Sequence, residues 1–581
     1  MIDSKHFLNG ISNTGYLTAA ICAFGVLIVW KLISAIFFSP LSHIPGPLLT
    51  AITPHYINFL SALNQRTIGT YSLHRRYGPI VRVSPTEVSV LSPEAVREVY
   101  SSPHYAKYAP LYSMFGHFGA PSAFSSCTRE EHGWRRKAVS QSYSLSFVLK
   151  DEVATGKVLQ AVKDYLNFVE SDRRVDIYNA NTFYATDVVT GKIFGSEASM
   201  KTLAGNEAHR EIVLGHYDRT GRVPTWMLLE LPFITNVLEW LAFYRRKAWS
   251  WVWGGEVKDR EIVARIRKWS WDAFMDAKSN SREDTIAGRL AKLVREGGSA
   301  EGVWDDRGAI IAEGNDTPQS GSFGYSTSYL TLLDYWVEGD DPIITLNAQK
   351  RLHSELLDAF PKSAEISGSG WPHSMDVQIL PHETILKALN LPYLDAILKE
   401  TLRIYTAVPI RLPRVVPPSA ATNSTSSHRS GRIVEGKFIP AGTTIGAFAY
   451  GIHRDEVFAV ETGEKDKPGD VDSFLPERWL INGGVEGELT PDASAKEKQR
   501  IRAIEARLWA FSSGGRNCVG RHVSILGMKL LLVAIYSRYQ TRVTPNSGVK
   551  VTHNRWNDRR TFRDVLPFLG VDGVVTFTPY E

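Results

Sequence analysis

Cysteine is scarce in this chain: three residues in 581, Cys22, Cys127 and Cys518, with no CxxC pair. So sparse and odd a count argues against a disulfide scaffold and a structural zinc site. It implies a reducing compartment and leaves one well-placed thiol able to act as a ligand or a nucleophile. A charge of one sign is missing too. Lys and Arg number 66 against 61 Asp and Glu, a net of +5, too small an excess over this length for a nucleic-acid partner. No internal repeat, no extended low-complexity tract and no second linker interrupts the chain. What is plentiful is core material. A hydrophobic content of 43% with 22% charged residues is ordinary for a large globular protein.

Long apolar runs are also few, and the clearest lies near the start. Tyr16 to Phe38 carries Lys31 as its only charge, and its 23 residues would span about 35 Å as a helix, enough for a bilayer core. A buried core helix and a cleaved signal peptide pass the same test. The second is disfavoured because Pro40 and Ile44-Pro45-Gly46-Pro47 follow, with no small-residue cleavage site. The reading is a membrane anchor over 1–39, a Pro/Gly-rich linker over 40–50 and one continuous domain over 51–581. Lys5 and Lys31 do not decide its orientation.

Within that domain most segments carry helical spacing, as in Leu394, Ile397, Leu398 and Leu402, which share one face. Alternation around Ser84-Pro85 predicts a hairpin over Ile80–Val90. A second hairpin is expected over Phe438–Ile445, turned at Pro440-Ala441-Gly442. Ser419–Ser430, Gly463–Gly469 and Gly483–Arg500 read as solvated surface loops. The expected class is mainly α with small β-sheets (α+β), in a single large domain behind a transmembrane helix.

The strongest chemical signal is Phe511-Ser512-Ser513-Gly514-Gly515-Arg516-Asn517-Cys518-Val519-Gly520. A lone Cys between glycines, with Arg two residues before it, is a thiolate candidate, because a cation and free backbone N–H groups favour charged sulfur. A buried structural Cys in a Gly turn is the bland alternative. The decapeptide resembles the haem-binding loop of the cytochrome P-450 family, FxxGxRxCxG, at every fixed position. That resemblance implies haem b (iron protoporphyrin IX), with Cys518 as the axial ligand of the iron and Arg516 paired with a propionate. Gly514 and Gly520 would let the loop pass beneath the porphyrin, and Phe511 is the motif's remaining cofactor-binding position.

Other segments fit the same resemblance in the family's order. Glu400-Thr401-Leu402-Arg403 is an ExxR string, and Arg478 lies in Pro476-Glu477-Arg478-Trp479. The family implies a buried network of Glu400, Arg403 and Arg478; taken alone, Glu400 and Arg403 could be an exposed helix pair. Arg414, His132 and Arg136 resemble further propionate partners, against the alternative that Arg135, Arg136 and Lys137 form a solvated basic face. Asp316 and Thr317, in Glu313-Gly314-Asn315-Asp316-Thr317-Pro318, stand where the family places its acid–alcohol pair for proton delivery. That match is irregular: Glu313 replaces a small residue, Pro318 follows, and Gln319–Ser328 holds two glycines. The stretch 318–348 is longer than the family pattern suggests.

The resemblance implies a membrane-anchored monooxygenase that inserts oxygen from dioxygen into a lipophilic small molecule, most similar to fungal members that tailor secondary metabolites. No Rossmann glycine fingerprint follows a strand, and the short stretch after Gly520 leaves no room for a flavin domain. Electrons are therefore expected from an NADPH-dependent flavoprotein reductase or cytochrome b5. The implied setting is the endoplasmic reticulum membrane, single-pass, with the catalytic domain in the cytosol; glycosylation at Asn423-Ser424-Thr425 would overturn that placement. Trp226 to Trp253, rich in tryptophan beside Arg245, Arg246 and Lys247, suits either a membrane interface or an aromatic core. Substrate walls are expected at Tyr112–Phe124 and in this tryptophan-rich middle. Two other functions stay open: a haem-thiolate isomerase or dehydratase needing no reductase, and a non-catalytic haem or lipid binder.

Overall fold

A computed structural model describes residues 13–63, 65–113, 121–150, 152–222, 258–280, 285–295, 342–361, 380–419, 430–459, 471–472, 474–484, 490–543 and 574–580. Among the described residues helices dominate, and three small sheets accompany them, the mainly α architecture expected. The centre is the helix Arg521–Tyr536, buried without interruption from Leu526 to Tyr536. A helix apolar on every side finds its place only inside the protein. Its one central cation, Lys529, is tied to the Leu389 carbonyl and to Asp395 Oδ1, both at 2.6 Å. Against it pack Glu152–Ser171 and the helix Pro392–Ile404, whose Leu394, Ile397, Leu398 and Leu402 are all buried.

Ile80–Ser84 (β1) and Glu87–Val90 (β2) form the expected hairpin, with Ile80 opposite Val90 and Arg82 opposite Val88. β1 is buried on both faces. Val81 and Val83 pack with Ile57 and Leu73, while Ile80, Val88 and Val90 join a second core. The remaining strands are Ala106–Lys107 (β3), Arg174–Asp176 (β4), Arg414–Val415 (β5), Gly431–Val434 (β6), Lys437–Pro440 (β7), Thr444–Gly446 (β8), Tyr539–Val543 (β9) and Val574–Pro579 (β10). They assemble as β1-β2-β8-β5-β3, β4-β10-β9 and β6-β7.

Two local expectations are corrected. Phe438–Ile445 is not a hairpin: β7 pairs backwards with β6, Ile433 facing Phe438, whereas β8 runs parallel to β2 in a different sheet. The turn lies at Glu435-Gly436, both at positive φ (53° and 68°), the requirement of a tight two-residue hairpin. Gly483–Arg500 is not all loop, for Pro491–Arg507 is a helix. Thr490 caps it by accepting the Ala493 N–H at 3.3 Å, and Pro491 stands at its first turn. Only Ile504 in it is buried, so it shows little apolar periodicity. Gly463–Gly469 and residues 420–429 lie outside the described residues.

At the other end, the helix Asn13–Ile33 runs into a π-turn, Ser34–Phe38. The stretch Tyr16–Phe38 is long and apolar enough to cross a membrane, and none of it is buried against the protein. The next segment is docked rather than free. Leu41 and Ile44 are buried in the sheet core, and Thr50 donates to the carbonyls of Pro47 and Arg82 at 2.7 and 2.9 Å. The buried Arg82 side chain donates to Ser39 Oγ at 2.9 Å, to Ala35 O at 3.5 Å and to Pro85 O at 3.1 Å.

Candidate active site

The loop from Trp509 to Gly520 starts just beyond the helix Pro491–Arg507 and ends at the cap of the central helix. Its fold follows from backbone constraints. Ser512 and Gly514 take left-handed φ of 59° and 70°, and a Cβ on Gly514 would run into the Tyr100 carbonyl oxygen. Only glycine suits that point. The Cys518 N–H then donates across the turn to Phe511 O at 3.0 Å, and Asn517 N–H to Gly514 O at 3.2 Å.

Cys518 is solvent-exposed, with protein atoms crowded around it. That crowding pushes the thiol up from its ordinary range. Backbone N–H groups of Gly520 and Arg521, at the N-terminus of the central helix, and the cations Arg136 and Arg521 pull it down. The free sulfur is a held thiol surrounded by groups that stabilise a thiolate once a Lewis acid takes its proton's place.

Behind the loop, Glu400 is completely buried and accepts five hydrogen bonds. Arg403 forks onto it through Nε and Nη2, both at 2.8 Å. Arg478 Nε, the Leu475 N–H and the Trp479 indole N–H each donate at 2.9 Å. Burial alone would raise the carboxyl, but Arg403 and Arg478 outweigh it and hold the group below its ordinary range. The arginines are satisfied in turn. Arg403 Nη1 reaches His453 O at 3.0 Å and Val471 O at 2.6 Å, and Arg478 Nη1 reaches Phe458 O. Glu400, Arg403 and Arg478 thus form one closed network, not an exposed pair.

On the loop's other side, cations converge. Arg414, on β5, donates to Tyr112 Oη at 2.6 Å and lies over the Tyr100 and Tyr112 rings at 5.0 and 5.3 Å. Arg516 donates to Cys127 O at 3.2 Å. Arg136 clamps Asn517, the residue before Cys518, through its carbonyl at 2.6 Å and Oδ1 at 2.7 Å. His132, four residues earlier on the helix Arg129–Ser140, is kept neutral. Burial, then Lys107, Arg516, Arg136 and Arg414, push its pKa down to about 3.

Lys107 escaped the sequence reading. It is buried on β3, donates to Phe124 O at 2.5 Å and Ala123 O at 3.3 Å, and lies over the Tyr112 and Phe124 rings. Nothing local in Tyr105-Ala106-Lys107-Tyr108 marks it; only the pairing of β3 with β5 carries it to Arg414. Tyr112, expected in a substrate wall, is buried against that arginine.

Arg414 and Arg516 repel one another, which lowers the Arg516 pKa beyond the effect of burial. Cations crowded in this way suit an anionic ligand with more than one carboxylate, and a thiol beside them suits a metal. The donor set therefore fits haem, with Cys518 for its iron and the Arg414, Arg516 and His132 group for its propionates. Asp316 and Thr317 lie outside the described residues, as do 114–120 and Trp226 to Trp253. A cleft of about 600 Å³, lined by Phe168, Val175, Phe183, Arg210 and Leu214, opens elsewhere and includes none of these groups.

The mainly α fold and the Phe511–Gly520 loop are those expected of a cytochrome P-450. Residues 348–561 match the family model for cytochrome P-450, and the relatives along nearly the whole chain support a cytochrome P-450 monooxygenase. It is 25% identical over 537 residues to the cytochrome P-450 monooxygenase FGM1 of Gibberella zeae, covering 90% of each chain. Identity to the monooxygenase gsfF of Penicillium aethiopicum is 22%, over 93% of this chain and 96% of that one. Pisatin demethylase of Fusarium vanettenii is 25% identical, over 88% of this chain and 85% of its own.

Proposed function

We propose that this chain is a membrane-anchored haem-thiolate monooxygenase that oxidises a lipophilic small molecule in fungal secondary metabolism. Its electrons would come from an NADPH-dependent flavoprotein reductase or cytochrome b5. The observation carrying the reading is the meeting of three groups at one loop: Cys518 over a helix N-terminus, the Glu400 network behind it, and the Arg414–Arg516–His132 cluster beside it. Bound haem supplies the reductive activation of dioxygen.

The rest of the work falls to the chain. Cys518 would ligate iron as a thiolate, its charge balanced by the Gly520 and Arg521 N–H groups and by Arg136. Arg516, Arg414, His132 and Lys107 would receive the propionates, and Arg136 would hold the loop through Asn517. Asp316 and Thr317 would carry protons to the reacting oxygen. The span Tyr16–Phe38 fits a single-pass anchor in the endoplasmic reticulum with the catalytic domain in the cytosol.

The test is a carbon-monoxide difference spectrum of reduced membranes containing the native chain or Cys518→Ser. A strongly red-shifted Soret band is expected in the native chain alone, and substrate oxidation should need both NADPH and reductase. Haem bound without that band, or a band that survives the substitution, sinks the reading.

A further inference from the structure

His453 is completely buried just past the short helix Ala449–Ile452, outside every motif the sequence marks. Its Nδ1 lies 2.9 Å from the carbonyl oxygen of Arg403, and its Nε2 lies 2.8 Å from the backbone nitrogen of Trp509. A carbonyl only accepts and an amide N–H only donates. Nδ1 therefore carries the proton, Nε2 offers its lone pair, and the ring is neutral in one tautomer. The charged groups facing it are Arg403, Arg454 and Glu400, with the cations in the majority. Arg403 also returns a guanidinium hydrogen bond to the His453 carbonyl at 3.0 Å, so these two residues are joined twice.

The other partner leads to the metal loop. Trp509 donates its indole N–H to Ser513 Oγ at 2.9 Å and accepts the Ser512 N–H on its carbonyl at 3.1 Å. Its ring meets Tyr100 edge-on at 4.7 Å, and Tyr100 is the residue whose carbonyl abuts Gly514. The loop passes through two left-handed residues, Ser512 and Gly514, and its one regular turn is the 3-10 turn Gly514–Arg516, so no strand ladder sets its depth. Its register must be held from outside.

The geometry points to His453 as a positioning residue of the haem centre: its neutral ring joins the Glu400–Arg403–Arg478 network to the Trp509 amide and so fixes how deeply the Cys518 loop is seated. This rests on the haem-thiolate reading above. His453 touches no reacting atom; it acts through Trp509 and the turn that follows.

Two amide substitutions in the full-length, membrane-bound protein separate the two ends of the ring. His453→Gln reaches the Nε2 position and keeps an acceptor for the Trp509 N–H. His453→Asn reaches only the Nδ1 position and keeps a donor for the Arg403 carbonyl. Haem content, the reduced carbon-monoxide spectrum and the haem midpoint potential are read for both. With equal haem bound, His453→Asn should lower the thiolate-band fraction about threefold or more, the loss of roughly one net hydrogen bond. It should also move the midpoint potential, while His453→Gln, which keeps the contact to the loop and loses the one to Arg403, moves both less. Native behaviour in both variants overturns the proposal. So does equal loss of haem in both, which assigns His453 to packing alone, and so does a loss confined to His453→Gln. A native chain without the thiolate band refutes the haem-thiolate reading instead, and the native control makes that failure visible.

Discussion

Glu400 is the residue on which most of the site's internal order depends. Its carboxylate holds two buried guanidiniums, an indole and a backbone amide. Breaking a buried ion pair by removing one partner costs about 3–5 kcal/mol, because the remaining charge stays buried without compensation. Glu400→Gln is therefore expected to lower the urea midpoint sharply and to abolish stable haem incorporation, whereas Lys399→Gln, half-exposed one residue earlier, should cost under about 1 kcal/mol. Comparable midpoints for the two would refute the network's role. A second residue-scale prediction concerns pH. His74 is buried beneath the first hairpin, with Nδ1 2.9 Å from Gly78 O and Nε2 2.8 Å from Ser89 Oγ. Burial, opposed by the Gly78 hydrogen bond and aided by Arg411, pushes its pKa from 6.5 to about 4. A histidine with a depressed folded pKa contributes stability above its unfolded value, and that stability is lost as pH falls toward the folded one. Between about pH 6.5 and pH 4 the native state should lose up to about 3 kcal/mol on this account. Urea titrations of native protein and His74→Gln across that window should show a shallower decline in the variant; parallel declines would contradict the assignment.

At the scale of elements, what could be read from the sequence depended on whether the determining interactions were local. The Ile80–Val90 hairpin and the apolar face of Pro392–Ile404 are local patterns, and both formed. Phe511–Gly520 marked the candidate site in advance through its resemblance to the family's haem-binding loop, a likeness legible because the glycines, Arg516 and Cys518 stand close in sequence. β8 was misassigned because its partners, β2 and β5, are remote, and no short-range pattern announces a parallel pairing. Lys107 was missed for the same reason: the cation cluster exists only after β3 joins β5. The helix Pro491–Arg507 was taken for loop because its polar face is nearly the whole surface. What fixes it is a cap and good helix formers, signals weaker than a buried stripe. Its stability should then be unusually sensitive to that cap. Thr490→Ala should cost about 1 kcal/mol and raise amide exchange over the first turn, with the carbon-monoxide spectrum of the haem-loaded protein unchanged. An unaltered exchange rate would mean that packing through Ile504, not the cap, sets the helix start.

For the whole molecule, the question is how the apolar span Tyr16–Phe38, the anchor proposed above, and the rest of the chain hold a fixed relation. The connection between them is strapped down. Arg82 lies in the middle of β1, buried, and reaches Ser39 Oγ and the carbonyls of Ala35, Ala51 and Pro85. These acceptors come from the end of the anchor, the segment after it and the turn of the hairpin. One guanidinium therefore links these parts of the chain, most firmly through Ser39 Oγ at 2.9 Å and Pro85 O at 3.1 Å, with Ala35 O and Ala51 O farther off at 3.5 Å. Leu48, Leu49 and Phe59, all exposed, lie on the short helices just beyond the tie. If Tyr16–Phe38 spans a membrane as proposed, apolar side chains so near its end are suited to rest in the lipid interface when its exit angle is fixed. Arg82→Ala removes the tie without touching the anchor or the Cys518 loop. On membranes, protease cleavage within residues 39–47 should rise at least about fivefold, the consequence of roughly 1 kcal/mol of lost local restraint. Tryptophan quenching by lipid-borne probes should weaken, and the spectrum of bound haem should be retained. Unchanged cleavage would show that Leu41, Ile44 and Thr50 hold the segment without Arg82, and the anchor would then be fixed by packing rather than by this one side chain.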